Sequence, residues 1–410
     1  MCEKGAMAEA SSSRVPKEER PEMKSASMLI GTGAQRCTHL THEAGYLAVA
    51  LEGTPTPTTV DTWYVGVFYM GPCWETHSQM HRVAYQRSPG LDPHASPTGL
   101  SISPDGVLAV SLGTGGVRLF SLAIPIGPRP MVIQETEKLL LPGGVTHLAK
   151  WIKEATKLRA LVTCASYPNK EVLSVHGRLT SCDRRVSQEL LQTPAGGITH
   201  VAAAVPGHIA VHETVGQVLH ILKLQDDDSE FQHKKIALMS LEADRAKAAS
   251  AQCAGKWKGH TITVSMAIGD DLVVVGLSPS LVGGAPGVVE AFCLETGTML
   301  ARRLTPWSVP TALSTSGSRV LIATSLPAAS FGVRLGELPA SETEHASGIY
   351  AMTVHGPHNF TVAKGGPHHA FWPQGTLHLD ERTWCYARTV MGEGGTVTVV
   401  EHAAVPTRPR

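Results

Sequence analysis

Four histidines, His355, His358, His368 and His369, lie close together in the C-terminal part of the chain, flanked by glycine and proline. Imidazole nitrogens are good ligands for zinc, nickel or copper, and a loop folded back on itself would let several of them converge. Against this, His368 and His369 are adjacent and point to opposite faces if they lie on a strand, and no carboxylate or thiolate stands at a supporting spacing. The expected role is that of hydrogen-bonded loop histidines, with a metal centre as the alternative, and no cofactor is expected. A second histidine pattern recurs along the chain as Thr38-His39, Thr146-His147 and Thr199-His200. Catalysis needs one singular histidine with a nucleophile or a carboxylate partner, so recurrence points to a shared packing or hydrogen-bonding task.

Other candidates for chemistry fall short in the same way. Gly31-Thr32-Gly33-Ala34-Gln35-Arg36 opens like a dinucleotide loop but leads into no helical period. Gly283-Gly284-Ala285-Pro286-Gly287 and Gly365-Gly366-Pro367 lack the lysine and hydroxyl residue that end a phosphate loop. No G-x-S-x-G elbow occurs, and the eight cysteines are scattered without a C-x-x-C pair, which predicts reduced, buried thiols. For partner binding the candidates are Trp257, flanked by Lys256 and Lys258, and the acidic run Asp226, Asp227 and Asp228. A tryptophan between two lysines is the kind of anchor that interfaces use.

The composition says what must position these residues. With 40 glycines, 27 prolines and 17% charged residues in 410, the chain favours strands and turns over helices. Lysine plus arginine balances aspartate plus glutamate at 35 each, so no net field draws the chain to nucleic acid or an anionic membrane. No apolar run reaches the roughly 20 residues that span a bilayer, nor does the N-terminus carry an apolar leader; the expected location is cytoplasmic or nuclear.

Leu100–Leu122, LSISPDGVLAVSLGTGGVRLFSL, carries the clearest local signal. A strand ends at Ile102, Ser103-Pro104-Asp105-Gly106 turns the chain, and two further strands flank a Gly113–Gly116 turn in which Gly115 and Gly116 are available for positive φ. Similar starts recur near Thr38, Thr146, Thr199, Thr261, Pro310 and His369 at intervals of tens of residues, the mark of a radial repeat. Third strands follow at Trp63–Met70, Glu171–Val175, Gln217–Leu224, Val288–Leu294, Gly348–Val354 and Gly395–Val400, with Met299–Leu304 as an outer strand.

The S-x-D-G turn and the following strand resemble a WD-repeat blade, although no Trp-Asp dipeptide occurs. The resemblance implies an all-β fold, a single β-propeller of seven blades of four antiparallel strands with loop insertions. Residues 27–403 would form the propeller, between disordered tails at 1–26 and 404–410. Ser27–Ile30 would close the ring beside Val397–Val400, and 225–255 would project as a helical or disordered insertion. The implied function is a non-enzymatic protein–protein interaction scaffold or adaptor whose partners are proteins, in a multi-subunit setting. Two alternatives stand beside it. The Gly53–Thr59 insertion is similar to the looped first blade of the exchange factors that activate Sar-type small GTPases, and a propeller hydrolase or lactonase would gather acids or histidines at one mouth of the channel.

Overall fold

In a computed structural model the chain is described over residues 25–29, 35–43, 45–53, 63–69, 81–85, 97–122, 133–155, 158–179, 184–194, 198–204, 208–213, 218–224, 231–237, 261–269, 271–279, 287–305, 309–325, 348–354, 359–364, 377–379, 383–392 and 395–404. Short runs rich in valine, leucine, isoleucine and alanine, broken by glycine, proline and aspartate, form strands throughout.

The first strand, β1, is Ser25–Leu29. Four strands then pair in order as one antiparallel sheet: β2 (Gln35–Glu43), β3 (Tyr46–Gly53), β4 (Trp63–Tyr69) and β5 (His81–Tyr85). The pattern repeats in β6 (Gly99–Ile102), β7 (Val107–Ser111), β8 (Val117–Leu122) and β9 (Ile133–Leu139). It recurs in β10 (Val145–Ala155), β11 (Leu158–Tyr167), β12 (Lys170–Leu179) and β13 (Arg184–Pro194). The next sheet is β14 (Ile198–Ala204), β15 (His208–Glu213), β16 (Val218–Leu224) and β17 (Phe231–Ala237). After it come β18 (Thr261–Ile268), β19 (Leu272–Pro279), β20 (Gly287–Cys293) and β21 (Met299–Thr305), then β22 (Val309–Ser316), β23 (Arg319–Ser325), β24 (Gly348–Thr353) and β25 (Asn359–Lys364). The last sheet holds β26 (Leu377–Leu379), β27 (Thr383–Gly392) and β28 (Gly395–Ala404), with β1 outermost against β28. The first strand of each sheet packs against the first strand of the next, and β26 packs against β2. The result is a single all-β propeller.

Its ends are joined by a strand from each terminus: Met28 pairs with Val400 and Leu29 with Val399. This is the ring-closing strand expected at Ser27–Ile30, with its ladder running along Val399–Ala403 and Ile30 outside the described residues. The paired backbone runs slightly beyond the expected 27–403, since Ser25 lies opposite Ala403 and β28 reaches Ala404. Backbone pairing tolerates the small and polar residues that composition reads as tail.

Two further expectations need correction. The segment 225–255 is not all insertion, because Phe231–Ala237 is the fourth strand of its sheet, pairing Phe231 with Leu224 and Ala237 with Val218. Its sequence, FQHKKIA, alternates too weakly to read as a strand, and the ladder to β16 is what holds it. Residues 238–255 of the expected insertion lie outside the described residues, as does the start expected near His369. The first strand of the last sheet is Leu377–Leu379 and the second is Thr383–Gly392.

The Ser103–Gly106 turn is held as its residues predict. The Gly106 amide donates to Ser103 O at 2.9 Å, the Val107 amide to Ser103 Oγ at 2.9 Å, and Gly106 takes φ 79°. In the next turn the positive φ falls on Gly113 and Gly116, not Gly115. A β-carbon at Gly116 would sit 2.3 Å from Leu139 O, so that position excludes every side chain.

The core lies in the wedges between sheets. Ala48, Ala50, Val65 and Val67 meet Leu100, Leu108, Val110 and Phe120 across the first wedge. Ile152, Val162, Leu173 and Val175 meet Ile198, Ile209, Val211 and Leu222 across another. A sheet buried on both faces in this way is stabilised by its neighbours.

Candidate functional site

The recurring Thr-His pattern marks a structural device. Five of the first strands carry a β-bulge at one register position, with Thr38, His147, Thr199, Val264 and Thr311 as the extra residues. Thr38-His39 and Thr199-His200 thus occupy equivalent places, whereas Thr146-His147 is displaced by one residue, a shift that sequence spacing could not show. A bulge re-aims the side chains beside it, and after two of these bulges the next residue, His39 or Ser265, reaches the neighbouring sheet. The His39 ring is hydrogen-bonded by the backbone of Thr98, Thr98 Oγ1 donates to Thr146 O at 2.8 Å, and Ser265 Oγ donates to Pro310 O. Trp151 N donates to Ser101 Oγ at 3.0 Å and Thr146 N to Gly113 O at 2.9 Å, adding two more links between adjacent sheets.

Where β2, β6 and β10 meet, two basic groups converge. Lys150 Nζ donates to Leu100 O at 3.3 Å, and its charge reaches His39, whose Nδ1 lies 3.2 Å from Thr38 Oγ1. Both side chains are half-buried. Burial pushes the His39 imidazole down to about 4, and the Lys150 charge adds to the fall. Burial also lowers the Lys150 ammonium. An imidazole that ionises less readily folded than unfolded leaves the unfolded chain holding the extra proton between its two pKa values. Stability is then full above about pH 6.5 and falls as pH drops towards 4, by at most about 3 kcal/mol. Urea unfolding of wild type and His39→Gln at pH 7.0, 5.5 and 4.5 should show a shallower acid loss in the variant; parallel curves would refute the assignment.

A second constellation has the composition of a hydrolase triad. His147 Nε2 lies 2.5 Å from Ser166 Oγ, which donates to Glu171 Oε1 at 2.6 Å. The wiring is reversed, however. The single hydroxyl proton goes to the carboxylate, so the imidazole must donate to Ser166, whereas a catalytic base accepts from its serine. Glu171 Oε2 in turn accepts from the Ile198 amide of the next sheet, which makes the buried carboxylate an inter-sheet latch. No sequence motif announced it, because its residues come from β10, β11, β12 and the start of β14.

A third network, Glu213–His220–His233, spans one sheet. His220 Nε2 lies 2.8 Å from Glu213 Oε2, and its Nδ1 lies 2.8 Å from Nε2 of the stacked His233 ring. On the sheet edge, Lys223 pairs with Glu295 and Lys234 donates to Glu295 O, binding β16 and β17 to the β20–β21 turn.

Cys37, Cys164 and Cys293 are free thiols. Desolvation pushes Cys37 and Cys164 up to about 12, with Glu171 adding to the effect at Cys164, so neither supplies a thiolate near neutral pH. Cys293 moves the other way, held below the usual thiol range by the Thr296 hydroxyl and amide.

The histidines His355, His358, His368 and His369, the Trp257, Lys256 and Lys258 group, Asp226, Asp227 and Asp228, and the loop at Thr54–Thr59 all lie outside the described residues. Among the described residues no group of three or more histidine, cysteine or acidic side chains is placed to hold a metal, and no helix is long and apolar enough to cross a membrane.

Four-stranded antiparallel sheets, ring-closing pairing of the termini and the S-x-D-G turn define a single β-propeller that is WD-repeat-like in its blades. No family model and no curated protein sequence matches the chain. Solved structures do. A chain of the mitotic checkpoint complex superposes with TM-score 0.53 at 12% identity, over 99% of this chain and 99% of that one. Polysaccharide lyase Uly1 gives TM-score 0.53 at 8% identity over 92% and 91%. The Neurospora crassa Pan2 WD40 domain gives TM-score 0.44 at 10% identity over 92% and 91%. At such identities the likeness is one of fold, and it extends to an enzyme as well as to a member of a protein complex.

Proposed function

We propose that this propeller is a non-enzymatic protein-interaction scaffold, a rigid seven-bladed ring that holds protein partners on its rims. The observation that carries the reading is the wiring of Ser166, Glu171 and His147. The described group that most resembles a catalytic set is engaged in fastening one sheet to the next, and the bulge residues His39 and Ser265 and the neighbouring Thr98 do the same. A ring stitched in this way has little conformational entropy to lose on binding, which favours affinity. The likeness to a chain of a multi-protein complex supports this use of the fold. Trp257 with Lys256 and Lys258, and Asp226–Asp228, are the proposed contact residues. A cytoplasmic or nuclear setting belongs to the same proposal.

Native-mass measurement of the full-length protein isolated from its source cells tests it. The expected result is a stoichiometric protein partner that survives 0.3 M salt and is released by Trp257→Ala combined with charge reversal at Asp226–Asp228. Recovery of the bare chain at its monomer mass of 43.5 kDa would overturn the reading.

A further inference from the structure

Lys150 is a cation with too few partners for its burial. An ammonium has three N–H donors. In the structure Nζ donates to one backbone carbonyl, Leu100 O at 3.3 Å, and no carboxylate among the described residues pairs with it. Its ionisable neighbour is instead another base, His39 on β2, across the short strand β6. The surrounding polar groups are already engaged: Thr98 Oγ1 donates to Thr146 O, Ser101 Oγ accepts from Trp151 N, and Thr38 Oγ1 donates to Ala50 O at 3.4 Å. A half-buried ammonium without a counter-charge is unfavourable compared with a paired one. Packing alone gives no reason for it, since a methionine would fill the same volume without charge. Lys150 and His39 are both only partly buried.

We propose that Lys150 Nζ is the charge centre of an oxyanion-binding site on the inner wall of the propeller, where β2, β6 and β10 meet. The ligand is a single carboxylate or phosphate group. Two sources share that chemistry: a free inorganic anion, or an acidic side chain of a partner peptide entering the ring. Bound there, it supplies the missing charge and accepts the two N–H donors that Leu100 O leaves unused. The site stands independently of the scaffold reading, since a free anion would serve the ring itself.

The test uses the full-length protein at constant ionic strength set with sodium chloride. Inorganic phosphate and an end-blocked hexaglutamate peptide are titrated separately, and melting temperature and calorimetric heat are read. Wild type should bind one of the probes at one site per chain, and its melting temperature should rise with the logarithm of probe concentration once the site fills. Lys150→Met should weaken that binding at least tenfold, while Lys150→Arg, which keeps the charge, should retain most of it. Should Lys150→Met not fold, Lys150→Gln takes its place. Binding of phosphate identifies a free-anion site, and binding of the peptide alone identifies a site for a partner's carboxylate. If neither probe binds wild type, or binds wild type and the methionine or glutamine variant equally, the proposal is overturned.

Discussion

Removing residues 1–29 should lower the melting temperature on the order of 5–10 °C and expose the protein to aggregation. β1 is the outermost strand of the last sheet, and five consecutive residues, Ser25 to Leu29, pair with Ala403 to Val399. With about 1 kcal/mol net for each ladder hydrogen bond, its loss removes several kcal/mol. The same truncation leaves the outer edge of β28 unpaired, and an open edge with the run Val397-Thr398-Val399-Val400 is a template for other strands. The effect should therefore appear twice, in calorimetry and in light scattering during heating. A synthetic peptide covering Ser25–Leu29 and its flanks should restore part of the lost stability by mass action. A truncated protein that melts within about 1 °C of the full chain would show that ring closure does not depend on this strand.

Replacing Glu171 with alanine should cost about 3 kcal/mol, the range for removing one member of a buried hydrogen-bonded ionic group. The carboxylate is 4% exposed and accepts from Ser166 Oγ within its own sheet and from the Ile198 amide of the next. Without it, a buried amide and a hydroxyl both lose their acceptor. Glu171→Gln should cost less, because an amide oxygen can still accept from Ile198 while its NH2 group faces a hydroxyl that can also accept. A cycle with Ser166→Ala, followed by urea unfolding, isolates the coupling of the latch. The same variants separate the latch from the alternative of catalysis. In a hydrolase Ser166→Ala would abolish turnover of ester or lactone substrates while leaving stability nearly unchanged, whereas a latch predicts a shared loss of stability and no turnover in either protein. An unchanged midpoint in Glu171→Ala would refute the latch.

Much of the fold was legible because propeller blades announce themselves locally. The Ser103–Gly106 turn needs proline, aspartate and glycine in order, and the strands on either side must be apolar to fill a wedge, so a single segment carries most of a sheet. Outer strands carry less of this signal. Phe231–Ala237 and Ile133–Leu139 are largely solvent-facing, with polar residues at most positions, and only their ladders to β16 and β8 identify them. The short β26 has three residues, too few for any period, so the last sheet was placed one strand early.

Residue types and spacing by themselves determined that the chain is an all-β radial repeat and that its cysteines form no C-x-x-C pair. These follow from turn chemistry and alternation, which act over a few residues. The common task expected for the Thr-His pairs does not extend to Thr146-His147, which is displaced by one residue and bonds within its own sheet. Tertiary structure alone decided what the polar residues do. Ser166, Glu171 and Ile198 become a latch, and Lys150 meets His39, only because successive sheets are wound against one another around the ring, bringing together groups separated by 27 to more than 100 positions in the chain. A bulge that shifts register by one residue then decides which side chain reaches the neighbouring sheet, and that displacement follows from backbone pairing, not from side-chain identity.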